Sequence, residues 1–160
     1  ASVASFASSC ANKLRGQNAG ARSVTVFICS NRFRDDLPQY GNSATYTFIT
    51  PTSDTLEITS AELKLLKQIY RPGIQYKKSG VIVGDIVSMS MLQMNLFDPI
   101  HNRKERSDLM KAIDVINHRY GLKTIKLLAE GDKDQKWKVK CEHRSQNYLT
   151  DINEILTVKI

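Results

Sequence analysis

A chain of 160 residues, 41% hydrophobic and 24% charged, suffices for one ordinary domain, or a compact domain with an ordered appendix, built on a real core. No run approaches the ~18 apolar residues that a membrane span needs, and the start ASVASFASSC reads as the inside of a helix. It has neither the basic head nor the continuous apolar stretch of a signal peptide. The net charge of +7 and pI of about 9.4 favour a polyanionic partner, nucleic acid above all. The excess is spread along the chain, as ten Lys/Arg against six Asp/Glu over residues 1–92 and thirteen against ten over 93–160.

Val3, Phe6, Cys10 and Leu14 recur at helical spacing, and Gly16 with the GQNAGA stretch ends that helix. No capping residue precedes it, so the chain is expected to begin within an element. SVTVFICS (23–30) and SATYTFIT (43–50) are rich in β-branched and aromatic residues and read as strands. The segment between them, NRFRDDLPQYGN, is too long for a tight hairpin and carries Arg32 and Arg34. TPTSDT supplies a turn and cap for a helix whose one face is Ile58, Ala61, Leu65 and Ile69, stopped at Pro72 and Gly73. YKKSGVIVGDIVSM is a third strand, with Gly80 and Gly84 as bulge or close-approach positions. Helix, strand, strand, helix, strand predicts an α+β two-layer sandwich, an antiparallel-rich sheet with both helices on one face and the other face open.

Beyond Leu92 the pattern changes. QMNLF (93–97) and the polar link DPIHNRKERSD lead to a helix with Leu109, Ile113, Ile116 and Tyr120 on one face and Gly121 as the stop. TIKLLA (124–129) is a short strand candidate, and WKVKCEH (137–143) alternates as a half-exposed strand does. A small α/β C-terminal subdomain is expected. The divisions are 1–92, a linker with its motif at 93–103, and 104–160.

Residue chemistry argues against catalysis. The pairs Asp35–Asp36 and Asp132/Asp134 sit in charged loops without apolar packing, and His101, His118 and His143 have no nucleophile partner. No phosphate-binding glycine motif is present. Cys10, Cys29 and Cys141 form no CxxC pair, which argues against a disulfide framework or zinc knuckle and fits a reducing cytoplasm. No metal or cofactor is expected. Lys77 and Lys78 at a strand start cannot both face a core, and Ser79–Gly80 would let a backbone approach closely. Phosphate contact explains that combination, and so does an edge strand guarded by lysines.

The order of QYGNSATYTFITPTSDT, YKKSGVIVGDI, QMNLF and WKVKCEHRSQNYLT resembles the C-terminal part of the UmuC-like catalytic subunits of DNA polymerase V, the ImpB/MucB/SamB group of Y-family polymerases. The resemblance implies that residues 1–92 are most of a little finger domain. In the family this domain is a four-stranded sheet with two helices lying along duplex DNA, and here its first strand would be missing. Residues 93–160 would be the group's C-terminal extension, and the catalytic palm, with its metal-binding carboxylates, would be absent. DNA contact is then assigned to Lys77, Lys78, Ser79, Gly80, Arg32 and Arg34. Gln93, Met94, Asn95, Leu96 and Phe97 match the pentapeptide that binds a bacterial sliding clamp. Burying Leu96 and Phe97 would contribute roughly 3–6 kcal/mol before ordering costs. Further partners implied are a processed UmuD-type dimer and RecA, in translesion synthesis and the SOS response. In the family's Leu-Ser-Pro-Arg-Tyr-Thr-Thr stretch, Ser145, Tyr148 and Thr150 keep their places here, whereas Gln146 and Asn147 stand where Pro and Arg are expected.

Two other classes compete. An RNA-binding α+β module would stack bases on exposed strand aromatics, for which Phe27, Tyr46 and Phe48 are available. A stand-alone interaction module would use QMNLF for a protein partner and carry its basic charge incidentally.

Overall fold

The computed structural model describes residues 1–91, 98, 100–131, 137 and 145–147. Its elements run α1 (Ser2–Gly16), β1 (Ala19–Ser30), β2 (Gly41–Thr52), α2 (Thr55–Ile69), β3 (Tyr76–Ser88) and α3 (Arg103–Tyr120), with single 3-10 turns at Met89–Met91 and Leu128–Glu130. The strands form one antiparallel sheet in the order β2-β1-β3. The α+β sandwich expected from the sequence is the architecture observed.

Strand alternation sets the two faces. Val24, Val26 and Ile28 of β1 are buried beneath α1 and α2, and their partners across the ladder include Val83 and Val81 of β3. Ser23, Thr25, Phe27 and Cys29 alternate to the other, open face, where Thr25 and Thr45 join hydroxyls at 2.8 Å. Helix α2 buries the face its spacing predicts, Ile58, Ala61, Leu65 and Ile69. Its N-cap Asp54 accepts a bond from Leu56 N at 2.8 Å.

Two helices present a different face from the one read off their apolar residues. In α1 the buried apolar set is Val3, Ala4, Ala7, Ala11 and Leu14, not Val3, Phe6, Cys10 and Leu14. Three alanines let the helix axis approach the layer beneath, where a phenylalanine would hold it off. Phe6 turns to the flank and meets Trp137 edge-to-face, centroids 5.5 Å apart. In α3 the buried apolar side chain is Met110, while Leu109 and Tyr120 stay exposed. The docked face is polar: Asp114 meets Arg15 and Asn12 of α1, Arg103 meets Glu57 of α2, and Arg106 pairs with Asp54.

Residues 124–129 form no strand. The side chain of Asn117 accepts from Ile125 N at 2.8 Å and donates to Ile125 O at 3.0 Å. One amide thus supplies both bonds a neighbouring strand would have given, and the chain turns on into the 3-10 turn with Leu128 almost fully exposed. The second strand expected there, WKVKCEH, lies outside the described residues apart from Trp137. Among the described residues, no helix is long and apolar enough to cross a membrane.

Candidate nucleic-acid interface

The loop of residues 31–40 and the start of β3 meet at one end of the sheet. Cys29 pairs with Lys78 on one side and Gly41 on the other, and Ser30 pairs with Tyr76. The register shifts between Cys29 and Ser30, so Lys77 is the extra residue of a bulge. Arg32 and Arg34 therefore share an end of the molecule with Lys77 and Lys78, though more than forty residues separate them in the chain.

Gln39 organises the loop from within. Its amide nitrogen donates to the carbonyls of Asn31, Arg34 and Leu37 at 3.1, 2.8 and 3.2 Å, and its oxygen accepts from Ser30 Oγ at 3.2 Å. Ser30 N donates to Tyr40 O at 2.8 Å, and the Tyr40 hydroxyl donates to Ile69 O at 2.7 Å, tying the loop to the end of α2. An aromatic cluster lies at the same end of the sheet: Tyr76 is 6.2 Å from Tyr40 and 5.5 Å from Tyr70, and the Arg71 guanidinium lies 4.6 Å above the Tyr40 ring. The Tyr76 hydroxyl accepts from Arg71 N at 2.8 Å and donates to Arg71 O at 3.0 Å. Arg71, Tyr40, Tyr70 and Tyr76 did not emerge from the sequence as parts of a site. The YRPG run after α2 was the available signal, and it reads first as a helix stop.

The candidate cations differ in availability. Arg34 is engaged by Asp36 at 2.7 and 2.5 Å, which raises the guanidinium's pKa and lowers that of the carboxyl. Arg32, Lys77 and Lys78 are exposed and make no ion pair among the described residues. Lys78 and Gly80 pair with Cys29 and Phe27, which puts both on the open face; Ser79 pairs with Ile28 and belongs to the helix-facing side. What closely approaches Gly80 within the chain is the Phe27 ring: a Cβ there would come within 2.4 Å of Phe27 Cζ. Gln93 to Phe97 lie outside the described residues.

Exposed basic side chains on a braced loop and strand end can bind phosphates without reading a base. Among the described residues, no group of three or more His, Cys, Asp or Glu side chains is placed to hold a metal ion. The aromatics of the RNA-binding reading do not share an open face. Phe48 is buried in the core, and Tyr46, opposite Val24, lies on the helix side 5.1 Å from it.

Residues 1–96, which contain this interface, match the impB/mucB/samB family C-terminal domain. The chain belongs to the impB/mucB/samB family. Residues 107–158 match a second domain, described as a domain of unknown function (DUF4113). Among similar proteins of the family, Protein UmuC of Salmonella typhimurium is 38% identical over 98% of this chain and 37% of its own length. Protein ImpB and Protein SamB, also of Salmonella typhimurium, are each 33% identical, over 96% and 99% of this chain and 36% and 37% of their lengths. The chain thus spans little more than a third of the curated relatives it matches.

Proposed function

We propose that this chain is a non-catalytic, DNA-holding part of an error-prone translesion polymerase of the UmuC kind, acting in DNA repair and the SOS response in the cytoplasm. The observation that carries the reading is the gathering of Arg32, Lys77 and Lys78 at one end of the sheet, without ion-pair partners among the described residues, in a chain of this family. Nucleotide transfer is assigned to the remainder of the longer protein. The partner is primer–template duplex, held by its phosphates, so binding is indifferent to sequence and falls steeply with salt. Titrating the 160-residue chain with duplexes of unrelated sequence at several salt concentrations tests this. Sequence-selective or salt-insensitive binding, or none at low salt, counts against it.

Gln93, Met94, Asn95, Leu96 and Phe97 act in this reading as a tether to a bacterial sliding clamp. Support comes from the match to a glutamine–aliphatic–small polar–Leu–Phe pattern between β3 and α3. Changing Gln93, Leu96 and Phe97 together to alanine is expected to abolish clamp binding in calorimetry while the thermal melt of the chain stays the same. Unchanged affinity would remove the tether. A processed UmuD-type dimer and RecA are partners proposed for the whole protein by its family membership alone.

A further inference from the structure

Phe33 is 92% exposed, at the crest of the loop between β1 and β2, with Arg32 and Arg34 on either side. A phenylalanine so exposed usually marks a floppy tip, but this loop is built. Asn31 Oδ1 accepts from Phe33 N at 3.2 Å, Arg34 N donates to Asn31 O at 3.2 Å, and the three donations from Gln39 fix the carbonyls around it. The ring is therefore held out in water by a braced backbone, so little freedom remains to be lost on binding. Arg32 precedes it in the chain and Lys77 and Lys78 lie at the same end of the sheet, while Arg34 is paired with Asp36. A protein-binding hot spot needs a rim that excludes water. An exposed ring next to Arg32, at the end of the sheet that carries Lys77 and Lys78, instead suits a nucleobase, whose π-face stacks on the ring while its phosphates meet the charges.

We infer that Phe33 is a base-stacking residue, and that the basic end of the sheet takes DNA bearing an unpaired base next to duplex. Within closed duplex only base edges are reachable in the grooves, whereas a base in a single-stranded tail, or one unstacked at a damaged pair, offers its face at lower cost. Arg32, Lys77 and Lys78 hold the flanking phosphates, and Phe33 takes the exposed base. The inference rests on the DNA-binding reading above and adds the form of DNA preferred.

The test compares two probes, a dumbbell duplex with both ends closed and the same duplex carrying a single-stranded thymidine tail with one 2-aminopurine beside the junction. Binding is followed by anisotropy and by 2-aminopurine emission for the 160-residue chain and its Phe33→Ala, Phe33→Leu and Phe33→Tyr variants. The expected result is a loss of about 5- to 150-fold in affinity for the tailed probe with Phe33→Ala. Phe33→Leu should lose a comparable amount, Phe33→Tyr should bind as the unaltered chain does, and none should change affinity for the dumbbell. The emission change on binding should vanish with the ring. Equal losses on both probes, no loss on either, or full activity of Phe33→Leu would overturn the inference while leaving DNA binding intact. If the unaltered chain bound neither probe, the DNA-binding reading itself would fail.

Discussion

Arg15 and Asp114, 99 positions apart, meet in a two-point ion pair, Nε to Oδ2 at 2.6 Å and Nη2 to Oδ1 at 2.7 Å. The remaining guanidinium nitrogen donates to Ser53 O at 2.7 Å and Thr55 Oγ1 at 2.9 Å, so one side chain joins α1, the entry to α2, and α3. Burial works to raise the Asp114 carboxyl, but the bonds from Arg15 and Asn12 outweigh it and hold the pKa below the ordinary aspartate range. Since α3 buries little besides Met110, this pair is expected to carry much of its docking. Arg15→Ala should weaken that docking by about 1–3 kcal/mol, as for a partly buried pair left with one charge uncompensated. Hydrogen exchange should quicken in α3 and stay slow in β1. Unchanged α3 protection would mean that Met110 and Arg103 suffice.

Phe27 and Gly80 make a second testable pair. The ring occupies the space a side chain at position 80 would need, an arrangement in which an aromatic shields a strand glycine from water. Gly80→Ala should displace the ring and destabilise the chain by about 1 kcal/mol, despite alanine's better backbone entropy. In a Phe27→Ala background the same change should be neutral or stabilising. Denaturant melts of the four proteins measure the coupling, and additive effects would show that the ring moves aside at no cost.

Glu62 of α2 is fully buried, and neither carboxyl oxygen has a hydrogen-bond partner among the described residues. Burial pushes its pKa up from 4.5 to about 8, so the folded chain holds this carboxyl mostly protonated near neutrality. Because the folded state binds the proton more tightly than the unfolded one, the stability contributed by this carboxyl is greatest below the unfolded value of 4.5. It declines as pH rises to about 8, by at most about 4–5 kcal/mol. Glu62→Gln should flatten that decline, and it should be the more stable protein at the alkaline end. Parallel pH dependences for both proteins in urea melts would show that Glu62 finds a partner or water on folding.

The basic end of the sheet predicts an order of effects on DNA. Replacing Lys77 and Lys78 together should lower the log–log salt slope by about 1–2 units, roughly 0.9 for each lost phosphate contact. Arg32→Ala should lower it further, and Arg34→Ala least of the four, because Asp36 already occupies that guanidinium. A slope that does not move with the lysines would make them guards of an edge strand. Equal effects of the two arginines would mean that DNA displaces Asp36.

The sandwich was legible in the sequence because its elements depend on local period. β-branched residues in alternation marked all three strands, and Ile58, Ala61, Leu65 and Ile69 marked the buried face of α2, where apolar stripe and core coincide. The order of motifs along the chain was enough to indicate the family. Which face α1 buries was decided by tertiary packing, since alanine carries almost no hydropathic signal yet alone permits close approach. The same holds for α3, which docks through Arg103, Arg106 and Asp114 on a polar face that periodicity reads as solvent. Residues 124–129 had the composition of a strand, but an asparagine side chain took the bonds a neighbour would have supplied. The site follows the same division. Individual cations can be picked out of a sequence, whereas their convergence depends on the register of β1 against β3. The pairing of Arg34 with Asp36 and the bracing of the loop by Gln39 depend on side-chain geometry that no spacing encodes.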